Sequence, residues 1–321
     1  MKIPFSPSVY EHAAKMVGRS PREVSCNPDL LFEGHRAAYL EYRHSPIVVG
    51  IDIYNLEGEA YGATISVPEG NGIPAIHEPL FKTLDEALGL PRFDPHRDGR
   101  IAMFIEVGQR LAREFPDADV RIPVSGPFSI AFNLRGINDL CLDVALRPDD
   151  VATWLMQLAE NQGVFCEAVV ESGLDVAFFE SAASPPMLSP QQFHDIELPS
   201  LKRVISVAES HVGHPVPCIM GGDTFPILDD ILATGTGYVV CNVETDQKKF
   251  VAHAGVADPN VKIRVNMDPG IVACDCPETI YREIDRILAI TADHPNCLMG
   301  TGCLPYETPP ENIRLIKEYI A

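Results

Sequence analysis

The chain has 321 residues, 46% of them hydrophobic and 22% charged, the balance of a globular protein able to bury a sizeable core. Its 45 Asp and Glu outnumber 25 Lys and Arg, for a formal net charge of −20. Such a surface repels phosphate backbones and anionic lipid, which excludes nucleic acid and membranes as expected partners. No run of ~18 apolar residues offers a spanning helix, and the opening MKIPFSPSVYEHAAKMVGRSPREV lacks a signal-peptide core, so a cytoplasmic protein is expected.

In chain order, residues 1–46 read as a helical extension packed on the main body. IVVGIDIYN (47–55) reads as a buried strand, and AYGATISVPEGN after it as a hairpin-like excursion. From Asp119 onward short β-rich runs alternate with helical stretches. The runs are DVRIPVSGP (119–127), DVAFFES (175–181), PVPCIMGG (215–222), YVVCNVE (238–244), KIRVNMDP (262–269) and CLMGTGC (297–303). A helix is predicted from Pro148-Asp149-Asp150, whose residues suit a helix N-terminus, and another in PETIYREIDRILAITADH. Val- and Ile-rich strands, each followed by a helix, signal parallel βα units. With no linker and no G-x-G-x-x-G turn, residues 1–321 are expected to form one α/β domain, a single (β/α)8 TIM barrel with an N-terminal extension and a hairpin excursion.

A barrel of this kind does its chemistry at the C-terminal ends of its strands. Those ends carry Asp52 and Asn55, Ser125, Glu180 and Ser181, Cys218 and Met220, Asn242 and Glu244, Asn266 and Asp268, and Cys303. Each also suits ordinary turn or cap chemistry, but the fold gathers all of them around one cavity. Asp52, Glu57 and Glu59 form an alternating acidic set, either a solvated edge or a wall that favours a cationic group. Gly126-Pro127-Phe128 reads as a backbone turn with an aromatic wall, whereas His194 and Glu197 read as surface residues of a helix.

Four segments resemble the uroporphyrinogen decarboxylase superfamily, which includes zinc-dependent methyltransferases acting on methyl-corrinoid proteins. They are SGPFSIAFNLRG (125–136), ESAASPPMLSPQQFHDIELPSLKRVI (180–205), VNMDPGIVACDCPETIYREIDRIL (265–288) and GTGCLPYETPPENIRLIKEYI (300–320). The decarboxylases of that family grip tetrapyrrole carboxylates with an N-terminal Arg-rich stretch. Here Arg19, Arg22, Arg36 and Arg43 stand without that motif and the 47–62 segment is acidic. The resemblance therefore points to the methyltransferase branch.

That branch binds zinc through a His-x-Cys-Gly motif at one strand end and a late Gly-Cys-x-x-Pro cysteine. GCLPYETPPENI supplies Cys303, whereas CIMGG places Cys218 where the family has His and Met220 where it has Cys. Alternation sends Cys218 and Met220 to one face. A thioether is a poor zinc ligand, so the expected metal set is Cys218, Cys303 and a third donor, His77 or Glu180. The competing reading of Cys218 is a buried small hydrophobe.

The resemblance implies a methyltransferase moving a methyl group between methylcobalamin, a corrinoid on a partner protein, and a small-molecule donor or acceptor, with Glu180 and Asp268 as the expected catalytic carboxylates. Asp52, Asn55, Glu57, Phe128, Met220, Asn242 and Asn266 are the expected substrate-binding residues. The chain has no Asp-x-His-x-x-Gly motif of its own for a corrinoid. The alternatives are a metal-independent decarboxylase or lyase of a small non-porphyrin acid, and a barrel that binds without catalysis. A homodimer is compatible with the fold.

Overall fold

The computed structural model describes residues 3–274 and 276–321. Eight parallel strands run through it: β1 (Phe5–Ser8), β2 (Ile47–Val48), β3 (Val120–Ser125), β4 (Asp175–Phe179), β5 (Cys218–Ile219), β6 (Tyr238–Cys241), β7 (Lys262–Met267) and β8 (Cys297–Cys303). They pair as two four-stranded ladders, β2-β3-β4-β5 and β1-β8-β7-β6. A parallel bridge from Pro217 to Tyr238 joins the ladders at β5 and β6. On the opposite side the Ser6 hydroxyl donates to the Ser45 carbonyl, tying β1 to the segment before β2. The order is that of a (β/α)8 barrel, with helices on the outside of the strands.

The helices carry the expected apolar stripes. In Ile101–Glu114, Ile101, Phe104, Ile105 and Leu111 fall at helical spacing and are buried against the barrel. The helix Pro148–Glu171 starts where the Pro-Asp-Asp signal puts it. Most of the core lies between strands and helices, where it contains Val124, Phe178, Cys218, Val265 and Met299. A separate small cluster of Tyr10, Val48, Ile53, Ala177, Phe179 and Ile219 fills the middle of the lumen.

One feature departs from the expected organisation. Residues 1–46 do hold three helices, Glu11–Met16, Pro21–Ser25 and Pro28–Tyr42, but Phe5–Ser8 ahead of them is a barrel strand paired with β8. Its sequence, FSPS, is too short and polar to announce a strand. The excursion after β2 is a minimal hairpin, with one antiparallel bridge between Ile65 and Ile76. Among the described residues no helix is long and apolar enough to cross a membrane.

Candidate active site

The C-terminal ends of the strands open into a cavity of about 520 Å3. Tyr10 and Glu11 enter it after β1, Asp52, Tyr54 and Asn55 after β2, Ser181 after β4, and Cys303 from the end of β8. Phe132 and Asn133 project from the helix Pro127–Arg135, Met187 adds a thioether, and Ile73–Ala75 of the hairpin loop close one side. The Tyr54 hydroxyl hydrogen-bonds Ser181 Oγ, which also accepts from the Gly221 amide at 3.1 Å. Among the described residues none that lines it is Lys, Arg or His.

The acidic rim is compensated from behind. Arg100 donates to both Asp52 oxygens, at 3.0 and 2.7 Å, to Glu59 at 2.6 Å and to the Ser25 carbonyl at 2.7 Å. Asn55 bridges Asp52 and the Pro74 carbonyl, at 3.0 and 2.7 Å, which pins the hairpin loop to the rim. The expected repulsive acidic set is therefore largely neutralised by a guanidinium 48 residues away in sequence. Glu57 is also removed from the cavity. It is fully buried and accepts from the Ser125 amide at 2.7 Å and hydroxyl at 2.9 Å. Burial pushes it up to about 7, the Ser125 bonds opposing.

Beside Asp52, which Arg100 holds, Glu11 is the second carboxyl lining the cavity, and burial together with neighbouring Glu307 raises it to about 7. It follows the unnoticed strand β1, so strand-end reasoning passed it over. Cys303 beside it is exposed as a residue, yet its thiol, set into the mouth, is pushed up to about 11 by desolvation there.

Glu180 stands in the wall rather than in the cavity. It is fully buried and accepts from the Phe128 amide at 3.1 Å, the Ser129 amide at 3.3 Å and the Ser129 hydroxyl at 2.6 Å. Its carboxylate fills the space a Cβ on Gly126 would need, so only glycine fits the turn after β3. Glu197, expected on the surface, is fully buried against Glu180 in a π-helical turn, Phe193–Glu197. Burial first, then the facing carboxylate, raises Glu197, and the two groups cannot both ionise cheaply. Glu180 takes the three protein donors and Glu197 retains the proton.

Several expected site residues lie outside the cavity for identifiable reasons. Alternation does put Cys218 and Met220 on one face of β5, but Ile219 is the lumen residue. Cys218 and Met220 therefore point into the helix-facing layer, 1% and 2% exposed. Burial and then Glu180 and Glu197 hold the Cys218 thiol protonated. Phe128 is core, and Phe132, one turn later, is the aromatic wall. Asn242 donates to the Met220 carbonyl at 2.7 Å and accepts from Asn266 at 3.0 Å, so both amides brace the ends of β5, β6 and β7. Asp268 caps the helix Pro269–Val272 through the Gly270 amide at 2.7 Å. His77 is exposed in the hairpin loop.

The expected zinc set of Cys218, Cys303 and His77 is thus distributed over the barrel wall, the mouth and an exposed loop. Among the described residues no three His, Cys, Asp or Glu side chains come together to hold a metal ion. The donor set does not fit zinc, because the register of β5 turns Cys218 away and a thioether stands at position 220.

A closed parallel barrel with its cavity and convergent polar groups at the C-terminal mouth defines a TIM-barrel protein of the enzyme type. The profile of the uroporphyrinogen decarboxylase (URO-D) family matches residues 2–321, and the chain belongs to that family. A methyltransferase from Methanosarcina mazei has a similar fold, with a TM-score of 0.84 at 21% identity, over 100% of this chain and 95% of the other. A protein assigned as a vitamin-B12-independent methionine synthase from Listeria monocytogenes aligns at a TM-score of 0.49 and 11% identity, over 99% and 96%. No curated protein matches the sequence.

Proposed function

We propose that the protein is a methyltransferase of the URO-D family that moves a methyl group between a corrinoid on a partner protein and a small molecule seated in the mouth cavity. The observation that carries this reading is that, among the described residues, no Lys, Arg or His lines that cavity. A tetrapyrrole bearing several carboxylates needs paired cations, and the nearby guanidinium, Arg100, is already spent on Asp52 and Glu59. Even a small acid finds no counterion there, which disfavours the lyase alternative. The fold shared with the M. mazei methyltransferase adds support.

The lining favours a neutral or cationic methylated molecule, such as an amine or an ether. Tyr10, Tyr54 and Phe132 offer aromatic faces and Glu11 a carboxyl. A corrinoid supplies the cobalt that gives or accepts the methyl group. The protein holds the small molecule, keeps water from it and manages the proton on its heteroatom. Glu11, at about 7, is matched to that last task near neutral pH. The reading stands on this cavity and not on a bound metal.

Spectroscopic titration of the purified protein tests it. Reduced cobalamin is mixed with methylated amines, ethers and thiols, and methylcobalamin with the demethylated compounds. Conversion by wild type, with a pH profile altered in Glu11→Gln, is expected. Cobalamin turnover with none of them, alongside CO2 release from a small carboxylic acid, would transfer the assignment to the decarboxylase reading.

A further inference from the structure

A second cavity, of about 370 Å3, enters the barrel from the opposite, N-terminal end of the strands. Its lining is unlike that of the mouth. Arg264 on β7, Lys262 at the start of the same strand, Arg121 on β3, Tyr238 on β6 and Ser6 on β1 all face it. Against these three cations the lining holds, among the described residues, one carboxylate, Asp119, which is a local excess of positive charge in a chain of net charge −20.

Arg264 is the unusual member. It is 6% exposed, yet among the described residues no carboxylate lies within 4 Å of its guanidinium, and its Nε has no hydrogen-bond partner. Its guanidinium carbon stands 6.0 Å from the centroid of the Tyr238 ring, whose hydroxyl lies near Ser6 and Arg264 but makes no well-formed hydrogen bond among the described residues, so the nearest polar neighbour of the guanidinium is a neutral phenol. Arg121, by contrast, is compensated by Asp119 at 2.8 Å and Asp175 at 3.3 Å. The fold makes room for the unpaired side chain. A Cβ on Gly300 of β8 would stand 2.5 Å from Arg264 Cδ and 2.6 Å from Cγ, so only glycine lets the stem cross that strand.

An arginine cannot escape burial by losing its proton. A buried guanidinium without a counter-charge is among the costlier arrangements a fold can hold, and buried charges are ordinarily paired. We infer that the N-terminal cavity is a binding site for a small oxyanion, a carboxylate or phosphate group held by the fork of Arg264 from within and by Lys262 at the rim. Val48, Ala177 and Ile219 above the guanidinium accept the apolar remainder of such a ligand. This site is separate from the mouth cavity and does not depend on the methyl-transfer reading.

The test uses the full chain in anion-poor buffer, with inorganic phosphate and malonate as probes for the two oxyanion chemistries. Calorimetric titration and thermal melting are run on wild type, Arg264→Met and Lys262→Met. Wild type is expected to bind one of the probes in the millimolar range or tighter and to melt higher in its presence. Arg264→Met is expected to weaken that binding about 10- to 100-fold and to melt no lower than wild type without anion, because it removes an uncompensated buried charge. Lys262→Met, at the exposed rim, weakens binding only a few-fold. The inference is overturned if neither probe binds wild type, or if Arg264→Met binds as wild type does. It is overturned too if Arg264→Met melts lower in anion-free buffer, since the guanidinium would then already have its partner inside the fold.

Discussion

Arg100→Met is the sharpest test of how the mouth is held together. The Asp52 side chain has no solvent exposure and takes two Arg100 bonds, while Glu59, about a quarter exposed, takes a third. Removing the guanidinium leaves Asp52 as a buried carboxylate with only the Asn55 amide for company. Stranding one partner of a buried pair costs about 3–5 kcal/mol. Methionine keeps most of the stem, so the contact with Phe104, 5.8 Å from the guanidinium carbon, contributes little to the loss. Unfolding entropy of ~2.1 cal/mol/K per residue amounts to about 0.7 kcal/mol/K for 321 residues, and Tm is expected to fall by about 5–7 °C. Differential scanning calorimetry of Arg100→Met beside Asp52→Asn/Arg100→Met makes the reading specific. The double variant should regain at least about half of the loss, because the stranded charge is gone. A single variant within about 1 kcal/mol of wild type, or a double variant no better than the single, refutes the claim that Arg100 compensates the rim.

Stability should depend on pH in two opposed limbs. Glu57 titrates at about 7 in the fold against an ordinary 4.5, so its contribution is full below pH 4.5 and about 3 kcal/mol is lost as pH rises through 7. Buried His12, His35 and His44, lowered to about 4, 4 and 3, contribute stability above pH 6.5 that is lost as pH falls toward those values. Urea unfolding of Glu57→Gln should therefore show a flatter decline between pH 5 and 7 than wild type, and an unchanged slope counts against the assignment. Cys303 is exposed, yet its thiol is pushed up to about 11, so peptide-resolved alkylation should find it about 100-fold less reactive near neutral pH than a thiol titrating at 9, with the rate still climbing toward pH 11. Labelling that saturates by pH 8 would show a thiolate that the described surroundings do not create. Phe128→Ala should cost about 3–5 kcal/mol, the range for a fully buried Phe. Phe132→Ala should leave denaturant midpoints closer to wild type and raise KM for the small molecule. The reverse pattern would place the cavity wall on the wrong turn of the helix.

Much of the scaffold was legible because its signals are local. The strands Val120–Ser125, Asp175–Phe179 and Lys262–Met267 are runs that their Val and Ile content marks directly. The Pro-led starts at Pro148 and Pro277 mark helices in the same way. β1 escaped because four residues, FSPS, take their strand pairing from β8, nearly 300 residues on. With it escaped Glu11, the second carboxyl lining the mouth. Asp52, Asn55, Ser181 and Cys303, which strand-end logic places around one cavity, do line the mouth. Arg100 could not be foreseen, since nothing in its own neighbourhood points to Asp52.

The sequence by itself determined the family, the parallel βα order and which strand ends carry polar side chains, because each is written in short-range pattern or shared motif. Only the tertiary structure decided which way those side chains turn. Period-two alternation puts Cys218 with Met220 but does not say which face is the lumen, and packing of Ile219 against Phe179 settles that. Strand alternation likewise turns Arg264 inward across the bare backbone of Gly300, leaving a buried cation below the lumen and above it a cavity that no cation lines among the described residues.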